Sequence, residues 1–271
     1  MRQVSIPEEL LARLTAEFIT ADTVGLLFTG SHARGDATRF SDVDLGRFVT
    51  ALPEAEEERY TLLWREGWLI SLFTTTIQAR RAELTRPESA IWAVPGMRQA
   101  RILFDRDGSL AALRAEAEVF RWEPLQEAAN AYASYQLAGL AEEAHKVMAG
   151  LYRGDEMLAL YGTYGLVLGL ARAVAVQRGA LIHTENVFFR QVQEAVGIAS
   201  PWAAAFRRAA GLDPAPSDVA PAMWRAAAAL QLYTETAVLF APILQPHHRQ
   251  VVEATMDTIN RRSLWMTQQA L

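Results

Sequence analysis

The sequence predicts an α+β protein: a small mixed β-sheet domain followed by an all-α helical bundle domain. Three observations carry that prediction. Strand-like and helix-like runs alternate as far as the turn Asp105-Arg106-Asp107-Gly108. Beyond it, strand signals nearly vanish and alanine, leucine and charged residues recur with helical period. The change is confined to the stretch between residues 108 and 124, which is the pattern of an α+β unit joined to a bundle rather than of alternating βαβ units. We place the boundary so that residues 1–115 form the first domain and 116–271 the second.

The elements follow in chain order. Residues 7–18 have helical periodicity, opened by Ser5, Pro7 and the acids Glu8 and Glu9. Thr23–Thr29 (TVGLLFT) is a β-rich run ending at a glycine, Asp42–Val49 alternates as a strand does, and Trp68–Thr75 (WLISLFTT) is strand-like again. The acidic stretch Pro53–Glu66 predicts an amphipathic helix. Thr76–Leu84 and Pro87–Ala93 predict short helices or turns, and Gln99–Phe104 a further strand. In the second part, helices are predicted over 109–120, 124–151, 155–178, 184–196, 200–210, 219–240 and 247–268, separated by Gly- and Pro-containing punctuation.

Composition bounds the function. The 271 residues are 51% apolar and 21% charged, as in an ordinary soluble globular chain. A formal net charge of −5 argues against sequence-independent nucleic-acid binding, which needs a basic face. There is no cysteine, so disulfides, zinc–thiolate sites and a cysteine nucleophile are excluded, and a reducing cytoplasmic setting is the expectation. The N-terminus has no basic segment leading into an apolar core, so no signal peptide is expected. The apolar run 157–176 is broken by Tyr, Thr, Gly and Arg172, which suits a buried helix and no membrane span. His-Glu-x-x-His, Walker-type lysine and Gly-x-Ser-x-Gly patterns do not occur.

One segment carries chemistry: Gly30-Ser31-His32-Ala33-Arg34-Gly35-Asp36-Ala37-Thr38-Arg39-Phe40-Ser41-Asp42-Val43-Asp44. A strand ends at Gly30-Ser31, where a glycine lets backbone approach a phosphate and a following turn offers free N–H groups. After a polar connector, Asp42 and Asp44 stand two apart at the next strand, and such residues share a face. Two carboxylates held together repel unless a cation lies between them. Mg²⁺, a hard ion that takes one or two carboxylates plus substrate phosphates, is the fitting partner. Arg34 and Arg39 can offset phosphate charge. A lone Asp-x-Asp is usually a solvated strand end, and a lone Gly-Ser only a turn; the combination is what is specific.

Strand, Gly30-Ser31, connector and Ser41-Asp42-Val43-Asp44 together resemble the signature of the polymerase-β-type nucleotidyltransferase superfamily. With a helical second domain, the chain resembles the aminoglycoside and lincosamide nucleotidyltransferases. The resemblance implies an Mg²⁺-dependent enzyme moving a nucleoside monophosphate from an NTP, ATP by preference, onto a hydroxyl of a small-molecule acceptor such as an antibiotic. It implies phosphate contacts from Gly30 and Ser31, metal binding by Asp42 and Asp44, and a homodimer, since two-domain relatives often dimerise. The family usually carries a third carboxylate on a neighbouring strand. Here the strand WLISLFTT has none, and Ser71 occupies its middle. Glu142 and Glu143 of the helical domain, or Glu185, are then the candidate bases, with Lys146 reaching the triphosphate or pairing with Glu142 and Glu143 at the surface. Arg98 and Arg101 are further candidates for the nucleotide. The acids Glu116, Glu118, Glu123, Glu127, Glu142 and Glu143 would suit a cationic acceptor. Two other readings stay open: a non-catalytic nucleotide-binding protein that kept the fold, and a transferase acting on a protein or an RNA end.

Overall fold

The computed structural model describes residues 4–261. The chain divides into two compact units: one runs to Trp122 and takes in Leu181–Glu185, the other comprises Glu123–Ala180 and the residues from Asn186 onward.

The first unit is built on a mixed five-stranded sheet of order β3-β4-β2-β1-β5. The strands are β1 (Thr23–Thr29), β2 (Val43–Val49), β3 (Tyr60–Arg65), β4 (Trp68–Thr75) and β5 (Arg101–Asp105). β2 and β4 are parallel; the other neighbours are antiparallel. On one face lies helix α1 (Glu8–Phe18), whose Leu10, Leu11, Leu14 and Phe18 fall at helical spacing and pack with Leu26, Phe28, Val43, Leu45, Ile70 and Leu72. Pro7 takes the N-cap position without a side-chain cap; the first-turn acids Glu8 and Glu9 remain.

The opposite face carries the alternate residues of each strand. Register aligns Thr29 of β1, Asp44 of β2, Ser71 of β4 and Leu62 of β3 in one row across it. Short α2 (Gly30–Arg34) follows β1, while α3 (Ile77–Leu84), α4 (Pro87–Gln99) and α5 (Ser109–Glu118) follow β4 and β5. Part of this face is covered: Leu110 of α5 lies against Gly25 so closely that a Cβ there would stand 2.7 Å from it. Arg80 of α3 stacks over Phe73, 4.7 Å from its ring centre.

The stretch Pro53–Glu66 corrects the sequence reading. It is no helix but a three-residue 3-10 turn, Glu56–Glu58, followed by β3. The physical reason is the hairpin: Glu66 and Gly67 both have positive φ (50° and 84°) between Arg65 and Trp68, which pair. A two-residue turn of that hand locks two strands together, and Arg13 of α1 grips the Glu66 carboxylate at 2.7 Å. Two smaller differences concern ends. α4 continues past Ala93 through Pro95 to Gln99, so β5 starts at Arg101.

The second unit is all helix: α6 (Gln126–Gly139), α7 (Ala141–Arg153), α8 (Glu156–Gln177), α9 (Phe188–Val196), α10 (Pro201–Ala209), α11 (Pro221–Phe240) and α12 (Pro246–Asn260). The helix predicted over 124–151 is two helices, interrupted at Leu140. The continuation predicted to residue 268 lies outside the described residues from 262 on. α8 and α11 are long and apolar enough to cross a membrane by length and composition alone. In this unit they supply the core, with Leu166, Leu170, Val174, Leu230, Leu232 and Tyr233 buried. α7 and α8 approach closely because glycines line their contact: a Cβ on Gly150 would stand 2.5 Å from the Ala159 backbone nitrogen. Trp202 is core, stacked on Phe206 with its indole N–H donating to Thr236 at 2.8 Å.

Candidate active site on the first unit

The site begins where β1 ends. Gly30 has φ +72°, and a Cβ placed on it would lie 1.7 Å from Oδ2 of Asp44. Only glycine fits there: the left-handed backbone disfavours a side chain, and the carboxylate occupies the space a side chain would need. Ser31 closes the turn that follows, its carbonyl accepting from the N–H groups of Gly35 (3.0 Å) and Asp36 (3.1 Å). α2 has five residues, too short to act through a helix dipole. What this turn offers a phosphate is glycine backbone and the Ser31 hydroxyl.

The connector is ordered by its own side chains. Ser41 Oγ accepts from the Thr38 N–H at 2.9 Å, and the Ser41 N–H donates to the Thr38 carbonyl at 3.1 Å. That turn delivers Asp42 just ahead of β2 and Asp44 within it. Both acids are half-buried. Burial, then the neighbouring Asp42 charge, pushes the Asp44 carboxyl up from an ordinary 3.8 to about 6; Arg34 opposes the rise and Glu185 adds to it. Arg34 itself pairs with Asp36 at 3.2 Å. Arg39 is exposed and stacks over Phe40, 4.5 Å from the ring centre.

This donor set fits a magnesium ion. Its ligands would be oxygens, and the burial and the Asp42 repulsion that raise Asp44 are both penalties on its charge that a divalent cation relieves. Among the described residues no three His, Cys, Asp or Glu side chains cluster as metal ligands. Two carboxylates are a common protein contribution to an Mg²⁺ site, which is completed by water and substrate phosphates.

Ser71 stands directly opposite Asp44 on parallel β4 and is buried. Its hydroxyl donates to the Tyr60 hydroxyl at 3.2 Å. The strand position beside the acid pair is therefore a serine tied to a tyrosine. After Asp42, the further carboxylate whose charge reaches Asp44 is Glu185, on the segment Leu181–Glu185 that belongs to the first unit although it follows α8. That segment is anchored by the Ile182 N–H donating to the Ile91 carbonyl at 2.7 Å, and by His183 beside Gln99 at 3.2 Å. Spacing cannot reveal this, because the return of a distant loop to the sheet leaves no local pattern.

The remaining candidates lie as follows. Glu142, Glu143 and Lys146 are on α7 of the second unit, with Lys146 Nζ 3.0 Å from Glu142 and 2.8 Å from Glu143. Arg98 donates to the carbonyls of Ala117, Glu118 and Phe120, tying α4 to the end of α5. Arg101 stacks on Phe28 and pairs with Glu8 at 3.5 Å. Both arginines thus have structural partners. His32 is buried with both ring nitrogens unpartnered and meets Trp68 edge-on at 5.3 Å.

No protein-family model and no curated protein matches the chain. Among solved structures it is similar to a nucleotidyltransferase-like protein from Exiguobacterium sibiricum 255-15, with 17% identity and a TM-score of 0.51 over 94% of this chain and 79% of that one. Identity so low, with a superposition that spans both units, is likeness of fold: the chain shares the α+β architecture of a nucleotidyltransferase-like protein, a mixed sheet followed by a helical part.

Proposed function

We propose that the chain is a magnesium-dependent nucleotidyltransferase that moves a nucleoside monophosphate from an NTP, ATP by preference, onto a hydroxyl of a small acceptor. The observation that carries this reading is the contact of Gly30 with Asp44, flanked by Asp42. It sets a side-chain-free backbone turn directly against an acid pair, which is what holding a metal-bound triphosphate requires.

Asp42 and Asp44 would hold Mg²⁺, which when bound neutralises phosphate charge and orients the α-phosphate. The Gly30-Ser31 turn would receive the β- and γ-phosphates, and Arg34 and Arg39 stand close enough in sequence to offset their charge. In the transfer, the acceptor oxygen forms a bond to the α-phosphorus while the bond to the bridging oxygen breaks and pyrophosphate leaves. The hydroxyl proton must go to a base. Glu185 is favoured because it lies on the Leu181–Glu185 segment that groups with the first unit and its charge bears on the Asp44 carboxyl. Glu142 and Glu143 are the alternatives, with Lys146 as their ion-pair partner.

The serine opposite Asp44 favours one second reading, a nucleotide-binding protein without turnover. Pyrophosphate release from Mg·ATP across a panel of hydroxylated acceptors, aminoglycosides and lincosamides included, separates the two. Release that disappears in Asp42→Ala and Asp44→Ala supports transfer. No release with any acceptor, combined with ATP binding that both substitutions leave intact, refutes the metal-dependent site.

A further inference from the structure

We propose that the acceptor is a hydroxylated compound with a flat aromatic or otherwise apolar body, which lies on the shelf formed by Tyr60, Leu62, Trp64 and Leu69 with its hydroxyl toward Asp44. The proposal rests on the transferase reading above and narrows its acceptor.

The shelf is the open part of the catalytic face. Antiparallel partners share a face, and β3 pairs Leu62 with Ser71, Tyr60 with Phe73 and Trp64 with Leu69. Ser71 in turn pairs with Asp44, so these apolar residues and the acid share one side of the sheet. Strands lie about 4.8 Å apart, so Leu62 is about 10 Å from Asp44 across the sheet, the span of a small molecule. Elsewhere this face is covered by Leu110 and Arg80. Over β3 no described residue covers it: Tyr60, Leu62 and Trp64 are 56%, 54% and 66% exposed. Exposed apolar residues scattered singly need no explanation, but an adjoining set on the working face does. An edge strand is ordinarily guarded by charge on its outer positions; β3 presents two aromatics and a leucine instead.

The shelf is joined to the acid row by the Ser71–Tyr60 hydrogen bond, so a molecule lying against Tyr60 reaches the position beside Asp44. Charge narrows the chemistry further. The shelf itself holds no acid, and the nearby Glu66 and Glu17 are held by Arg13 and Arg65. Glu116, Glu118, Glu142 and Glu143 are paired with Arg81, Arg114 and Lys146. The exposed Glu56, Glu57 and Glu58 precede Tyr60, so amino groups are accommodated only at that end. Nothing on the shelf meets the several ammonium groups of an aminoglycoside. Aromatic surfaces, by contrast, suit stacking with a flat body whose rim carries hydroxyls.

The test uses the full chain and three probes: 4-nitrophenyl β-glucoside, methyl β-glucoside and kanamycin. The two glucosides offer the same sugar hydroxyls with and without an aromatic carrier. Affinity is read by saturation-transfer NMR, and affinity for a non-hydrolysable ATP analogue with Mg²⁺ is read separately. The nitrophenyl compound should bind about tenfold tighter than the methyl one. Leu62→Ser and Trp64→Ser, both at exposed positions, should each erode that preference while ATP-analogue affinity and the unfolding midpoint stay put. Equal affinity for the glucosides, tightest binding of kanamycin, or a preference that survives both substitutions overturns the shelf. So does a drop from dimer to monomer in light scattering of Trp64→Ser, which would make this face a contact between copies. A chain that binds the analogue but shows no preference refutes the shelf alone. One that keeps the preference and fails to bind the analogue refutes the transferase reading.

Discussion

Replacing Asp44 with asparagine should make the ligand-free protein more stable at neutral pH, although it removes a residue of the proposed metal site. The carboxyl is raised from 3.8 to about 6 by burial and by Asp42. For an acid, a folded-state pKa above the unfolded one means that the folded chain holds the proton more tightly. Its ionised form is therefore a cost, absent below about pH 4, growing between 4 and 6, and complete above 6. At about 1.4 kcal/mol per pKa unit the full rise corresponds to about 3 kcal/mol. Asp44 is half-buried, so water screens part of this, and about 1–2 kcal/mol is the figure to expect. Asparagine keeps the shape that Gly30 packs against and removes the charge. With a midpoint shift of about 2–4 °C per kcal/mol for a chain of this size, Asp44→Asn should melt about 2–8 °C higher at pH 7.5 in EDTA. At pH 4 the two proteins should melt together. Adding Mg·ATP should reverse the order, because a ligand that binds only the folded wild type stabilises it. Calorimetric scans from pH 4 to 8 measure all of this. A variant less stable than wild type at pH 7.5 without metal, or a difference that does not change with pH, would refute the account of Asp44 as a strained acid awaiting a cation.

The other expected outcomes are these. Gly30→Ala combines a left-handed backbone, costing about 1–2 kcal/mol, with a Cβ 1.7 Å from the Asp44 carboxylate. Denaturant titration should show it less than additive with Asp44→Gly, by about 0.5–3 kcal/mol; strict additivity would mean that the contact carries no energy. Glu185→Gln should lower kcat by about 10²–10⁴-fold with ATP affinity unchanged. A comparable loss in Glu143→Gln, with none in Glu185→Gln, would move the base to α7. Gly150→Ala should destabilise the helical unit by about 1–3 kcal/mol, because the Ala159 backbone 2.5 Å from the new Cβ cannot yield without separating α7 from α8; an unchanged melting curve would disprove that packing.

Much of the first unit was legible because its strands carry local signals. TVGLLFT and WLISLFTT became β1 and β4 with the predicted ends, each a β-branched and aromatic run with clear punctuation. Residues 53–66 misled because three consecutive glutamates suggest a helix's first turn. They also misled because YTLLWR places apolar residues on both faces, which hides the two-residue period. The corrective signal was Glu66-Gly67 between two β-rich runs, a hairpin connection of the kind that sets register. The run 124–151 has no proline in its interior, so the interruption at Leu140 had only Gly139 to announce it. That Gly30, Asp42, Asp44 and Ser71 adjoin was readable from spacing, since all sit on or beside neighbouring strands. Glu185 was readable only as an acid in a loop; what gives it meaning is where the chain travels after α8.

A serine rather than an acid opposite Asp44 has an electrostatic logic. Asp44 already holds its proton to about pH 6 because it is half-buried beside Asp42. A third acid at position 71, buried and directly opposite Asp44, would add a like charge at strand-pair distance and raise that strain further. Serine adds no charge, and its hydroxyl donates to Tyr60, which ties edge strand β3 to the acid row. Glu185 raises Asp44 as well. On this view, phosphate and metal binding depend on two neighbouring strands. In the proposed reaction, proton removal depends on the segment Leu181–Glu185, which returns to the first unit only after α8. A protein of this design keeps its nucleotide site when that segment is altered, which is why ATP binding and turnover should be separable in Glu185→Gln and inseparable in Asp44→Ala.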